Sequence, residues 1–88
     1  MIKYRGDGSS KDKAIIILGA NSDLEGVDAE YNYLESLYGE QNVEWRLDEQ
    51  TLINDGEKYY DVLRIEFRNQ KQVTFWFDIT NFYGLEDE

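Results

Sequence analysis

The chain contains no cysteine, no histidine and no proline. Without cysteine there is no disulfide framework and no thiol chemistry. Without histidine, the commonest general base, the usual zinc ligand and the side chain that titrates near neutral pH are missing together. No apolar run approaches the roughly 20 residues that a membrane helix requires. The opening MIKYRGDGSS has no apolar core of the kind a signal peptide carries, so a cytoplasmic protein is expected. Positive charge is scarce: 9 basic residues face 19 acidic ones, for a net charge of −10. That balance repels nucleic acid and anionic membranes, so neither is expected as a direct partner. It favours basic partners, and it also keeps a small protein soluble.

Eighty-eight residues make one domain, 1–88. A chain of this size buries only roughly 60–65% of its unfolded surface, so its core must be dense. Seven Tyr, four Phe and two Trp supply large rings for that purpose. The same rings also suit an interface.

Residues 1–13 are polar and glycine-containing, and read as an arm in which Ile2 and Tyr4 alternate with Lys3 and Arg5 as in a short edge strand. Residues 14–20 read as a strand whose four consecutive apolar residues, Ile15 to Leu18, require cover on both faces or a central place. Ser22 and Glu25 have the spacing of a capping box, and Val27, Tyr31, Leu34 and Tyr38 then form one helical stripe with Leu37 beside it. Gly39 closes that helix. Gly26 weakens its first turn.

Three strands follow. In residues 43–47, Val43, Trp45 and Leu47 share one face. The alternation slips at Asp48-Glu49-Gln50, where a bulge would return Leu52 to the inner face. Asn54-Asp55-Gly56 is a hairpin turn. Residues 58–68 point Leu63, Ile65 and Phe67 inward. After a turn at Asn69-Gln70-Lys71, residues 72–80 point Val73, Phe75, Phe77 and Ile79 inward. The predicted architecture is α+β, in the order β-α-β-β-β, with one amphipathic helix on a mostly antiparallel sheet of about four strands. The acidic end, 85–88, reads as a frayed tail.

Several motifs suggest chemistry and fail on inspection. Strand, glycine turn and helix in AIIILGANSDLEGVDAEY is the order that cradles phosphates, but no Lys follows Gly19 and no G-x-G-x-x-G is present. Asp23, Glu25 and Asp28 at the helix start would repel a phosphate. Arg5-Gly6-Asp7 is the tripeptide integrins read, in a chain with no sign of secretion. Asp7 to Leu18 departs from a calcium loop at its third, fifth and twelfth positions. Asp48-Glu49 and Asn54 to Glu57 are explained by turn chemistry. Asp61 falls on the same face as Leu63, and near its strand start a rim position is expected, partnered by Arg5, Lys13 or a Tyr hydroxyl. Catalysis there would need a second acid, a metal or a nucleophile. No cofactor or metal is expected.

Two surfaces remain as partner-binding candidates. Trp76 faces outward with Tyr60 and Val62, flanked by Asp78 and Glu66. Such a patch anchors a partner unless Arg64 or Arg68, the N-terminal arm or a second copy covers it. Glu25, Asp28 and Glu35 form an acidic helix face.

The segments GDGSS…AIIILGA, EGVDAEYNYL, YYDVLRIEF and FDITNFYG together resemble small uncharacterised bacterial and phage-encoded proteins. The resemblance spans most of the chain. It implies a prokaryotic or phage origin and brings no activity, cofactor or site residue with it.

The expected function is that of a non-enzymatic acidic protein-binding module. Its most concrete form is an inhibitor of a basic nucleic-acid-acting protein, as phage anti-defence and toxin-immunity proteins are. One alternative is a structural module that self-associates through its outer sheet face. Another is a small enzyme or ligand binder, which a deep pocket containing Asp61 and several Tyr hydroxyls would favour.

Overall fold

The structure, a computed structural model, describes residues 1–85. Five strands form one sheet: β1 (Lys3–Arg5), β2 (Ile15–Leu18), β3 (Trp45–Asn54), β4 (Tyr59–Phe67) and β5 (Gln72–Asp78), in the order β1-β2-β5-β4-β3. One helix, α1 (Asp23–Tyr38), connects β2 to β3. All pairings are antiparallel except β2 with β5. The fold is the α+β arrangement read from the sequence, with a fifth strand supplied by the alternating Ile2–Arg5 stretch.

The four-residue apolar run of β2 lies inside the sheet, between β1 and β5. Ile15 and Ile17 are fully buried beneath the helix, while Ile16 and Leu18 are half-buried on the other face. The hairpins form at the expected turns. The Asn54 side chain accepts from the Gly56 N–H at 2.8 Å, and the Asn69 side chain from the Lys71 N–H at 3.1 Å. The register shifts between Leu47 and Glu49, as the slipped alternation predicts. Val43 differs from expectation. It precedes the strand and is exposed, because the chain turns there and β3 begins only at Trp45.

The Ser22 Oγ accepts from the Glu25 N–H at 3.1 Å, and the Glu25 carboxylate accepts from the Asn21 N–H at 2.8 Å. The Asp23 N–H donates to the Leu85 carbonyl at 2.9 Å. The donors a phosphate would use are thus largely occupied by the protein itself. Leu85 is therefore tied to the helix start, not frayed; the rest of the expected tail, 86–88, lies outside the described residues.

The helix is turned away from the stripe that periodicity suggested. Gly26, Ala29, Glu30 and Leu34 are buried, Val27, Tyr31 and Tyr38 are half-buried, and Leu37 is exposed. The small residues decide this. A Cβ on Gly26 would overlap the Phe82 ring, which is itself fully buried, and the Ala29 carbonyl accepts from the Tyr4 hydroxyl at 2.8 Å. Closest approach falls where side chains are smallest, and the tyrosines close the flanks. Tyr33 meets Phe77 edge-on at 6.0 Å and Tyr38 meets Phe67 at 4.8 Å.

Gly26→Ala tests this packing. Alanine improves helix propensity by about 1 kcal/mol, whereas overpacking a full core costs about 1–3 kcal/mol. Urea unfolding is expected to show a net loss of stability. In the double variant with Phe82→Leu, the combined loss should be smaller than the sum of the two single losses.

Candidate functional site: a buried acid pair beside the helix

The pleat of β4 alternates Asp61, Leu63 and Ile65 onto the helix-facing side. Asp61 is not at the rim. It is 5% exposed, opposite Leu52 on β3 and Phe77 on β5. Its partner is none of Arg5, Lys13 or a tyrosine. The Gln50 amide donates to both of its oxygens, at 3.0 and 3.1 Å. The bulge makes this possible. It turns Glu49 out toward Arg64 and Gln50 in toward Asp61, where unbroken alternation would do the reverse.

The second acid is Glu30, which the sequence reading left out of its candidates. It is 1% exposed, and no donor from the described residues reaches either of its carboxyl oxygens. Burial first, and then a hydrogen bond to the Asp61 carboxylate and that group's charge, push the Glu30 carboxyl up to about 10. Glu30 therefore keeps its proton at neutral pH beside Asp61. Burial, and next the Asp61 charge, also push up the Tyr31 phenol. The pair lines a cleft of about 190 Å³ whose other walls include Val27, Leu52, Phe82 and Tyr83. Glu30 was detectable in principle. It lies one helical turn beyond Gly26 and next to Ala29, the small residues that mark the contact face.

The outer sheet face is less open than its sequence suggests. Tyr60 is 5% exposed and Trp76 and Val62 are half-buried. The N-terminal arm contributes by pairing along the β5 edge and by laying Lys11 over Tyr60. The Gly8 carbonyl accepts from the Trp76 N–H at 2.8 Å, and Lys11 lies 5.6 Å from the Tyr60 ring centroid while pairing with Asp55 at 3.0 Å. A side chain on Gly8 would come within 2.9 Å of Ile15 and Phe75, so the close approach needs glycine. Trp76 meets Tyr60 edge-on at 5.9 Å. Asp78 is buried, with Lys58 at 3.8 Å, and Glu66 pairs with Arg46. Around Trp76 the structure therefore places a half-buried surface, with Tyr60 and Asp78 buried and Trp76, Val62 and Glu66 partly exposed.

The charges segregate. Lys11, Arg46, Lys58 and Arg64 are each paired with acids of the sheet and its turns. Helix α1 carries no basic residue. Glu25, Asp28 and Glu35 are exposed on it, and among the described residues no cation pairs with them. Glu25 and Asp28 border a groove toward β1, on the flank of the helix opposite the acid pair. No helix among the described residues is long and apolar enough to cross a membrane.

No protein family, curated protein or solved structure matches the chain.

The acid pair makes stability depend on pH. Glu30 is protonated in the native state up to about 10 but ionises near 4.5 when unfolded. Between those values the native state holds the extra proton, so its contribution is full below pH 4.5 and is lost as pH rises. The slope is up to ~1.4 kcal/mol per pH unit, or on the order of 3 kcal/mol by pH 7. Glu30→Gln keeps a neutral group there. Urea unfolding should find it close to the parent at pH 5 and progressively more stable toward pH 8; parallel curves would refute the assignment.

Proposed function

We propose that the protein is an acidic, non-enzymatic binding module that docks on a basic protein surface through helix α1. The supporting observation is the segregation of charge. The exposed face of α1 bears Glu25, Asp28 and Glu35 with no intramolecular cation, while Lys11, Arg46, Lys58 and Arg64 are occupied by pairs with other acids. The row spans about 15 Å at 1.5 Å per residue. A partner with a complementary row of Lys or Arg gains steering and register from it. A surface of that kind occurs on nucleic-acid-acting proteins, so inhibition by occupying a nucleic-acid site is the form of the activity proposed. Self-association through the outer sheet face has less support, because Tyr60 is buried with Lys11 over its ring and Trp76 is only partly exposed.

The test compares the parent with a Glu25→Lys, Asp28→Lys, Glu35→Lys variant as baits in a prokaryotic lysate at low and high salt. All three positions are exposed, but Glu25 and Glu35 also accept from the Asn21 and Gln41 N–H groups, so circular dichroism should show the same fold with a lowered melting temperature. A basic protein captured by the parent at low salt should be released at high salt. The variant should bind it at least about tenfold more weakly, ~1.4 kcal/mol. Capture that survives both changes would refute docking through α1.

A further inference from the structure

We infer that the cleft between α1 and the β3–β4 hairpin, floored by Glu30 and Asp61, is a binding site for a short alkyl chain ending in a guanidinium or ammonium cation. This goes beyond the docking reading and does not depend on it, since the cleft opens on the other flank of the helix.

Three observations carry it. The first is the floor. Glu30 is 1% exposed and lines the cleft with its oxygens closed to solvent, so a ligand reaches them only as the side chains over them shift, and no donor from the described residues reaches them. One proton shared with Asp61 gives Glu30 one hydrogen bond and leaves its other oxygen without any. Buried carboxyl oxygens are rarely left so. A guanidinium brings five N–H donors and a full positive charge to two adjacent acids. The second is the wall. Phe82 is buried, while Leu52 and Tyr83 are 51% and 40% exposed at the mouth, an apolar sleeve for an alkyl stem. The third is size. About 190 Å³ falls below the ~300–1,000 Å³ of sites for larger ligands and suits one side-chain-sized group. A metal ion fits poorly: among the described residues no three acids cluster to hold one, and a hard cation seeks six or more oxygens.

Binding exchanges cations. The guanidinium takes the place of the shared proton, the Glu30 carboxyl releases that proton to solvent, and no covalent bond to carbon changes. The groups facing Glu30 are Asp61 from β4 and Asp23 and Tyr31 from its own helix, with Tyr83 lining the same cleft from the C-terminal turn; Gln50 and Leu52 from β3 are neutral.

The probe is n-butylguanidinium, whose charge is constant over the range used. Titration calorimetry of the full chain from pH 6 to pH 9 should show affinity rising about tenfold per pH unit, with close to one proton released per ligand. Neutral n-butylurea, of the same shape, should not compete. Glu30→Gln, which retains a neutral group and the fold, should lose binding at least about tenfold. A blocked arginine, acetylated and amidated, separates the two sources of such a cation. Binding as tight as butylguanidinium would assign the site to a peptide side chain, and weaker binding would assign it to a free small cation; either supports the proposal. No saturable binding up to about 10 mM, equal binding of butylurea, pH-independent affinity, or affinity unchanged in Glu30→Gln would each overturn it.

Discussion

Helix α1 can approach the sheet only where it has almost no side chain to interpose, and the rest of the architecture follows from that. Gly26 lets the Phe82 ring lie directly under the first turn, and Ala29 lets Tyr4 reach the helix backbone. Once those two positions face the interior, Gly26 against Phe82 and Ala29 toward Tyr4, the residue four beyond Gly26 must face it too, because i and i+4 share a helical face. That residue is Glu30. The strand beneath has its own period, and two residues before Leu63 it presents Asp61. The meeting of two acids in the interior is thus imposed by two unrelated periodicities and one close contact. The turn carrying Phe82 closes the arrangement, since the Leu85 carbonyl beyond it accepts from the helix N-terminus.

The bulge at Leu47–Glu49 connects the interior chemistry to the exterior charge pattern. By advancing β3 one residue, it delivers Gln50 as the donor for Asp61 and sends Glu49 out to Arg64, which also pairs with Asp48 at 2.7 Å. An edge strand of ten residues would otherwise offer a long open ladder, and a bulge beside two acids discourages edge pairing. With Arg46 and Arg64 engaged in this way, neither is spent on the helix face, whose Glu25, Asp28 and Glu35 have no ion-pair partner among the described residues. Exposed pairs of this kind contribute little stability, roughly 0–1 kcal/mol each. Their consequence is spatial: they fix where negative charge is balanced and where it is not.

Features governed by local rules were legible from the residues. The hairpin turn at Asn54–Gly56, the bulge after Leu47, the helix cap at Ser22 and the inward sides of β4 and β5 each follow from two to five neighbouring residues. Two features were not legible, and both are tertiary. The rotation of α1 was misjudged because large apolar residues were weighted above small ones, although contact distance is set by the small ones. The covering of Tyr60 depends on a glycine-rich arm more than forty residues away in sequence, whose Gly8 and Lys11 look like ordinary loop residues until they lie against β5 and the Tyr60 ring. Asp61 was noticed for breaking an apolar face. Glu30 becomes legible once Gly26 and Ala29, rather than the large apolar residues, are taken to mark the contact face.

A buried acid pair that holds one proton is a costly way to fill a core. An apolar pair of similar volume is often as stable or more so. In a small domain whose total stability is expected within about 5–15 kcal/mol, on the order of 3 kcal/mol at neutral pH is a substantial share. The cost arises because the folded chain has the acceptors and lacks the donors. A guanidinium or ammonium that enters the cleft would supply donors only to the folded form, so binding would add stability in proportion to the logarithm of its concentration. Proton, ligand and fold are then linked through the same carboxyl oxygens. The two carboxyl groups that local sequence rules make least comfortable are therefore also the ones through which an outside molecule can most change the protein.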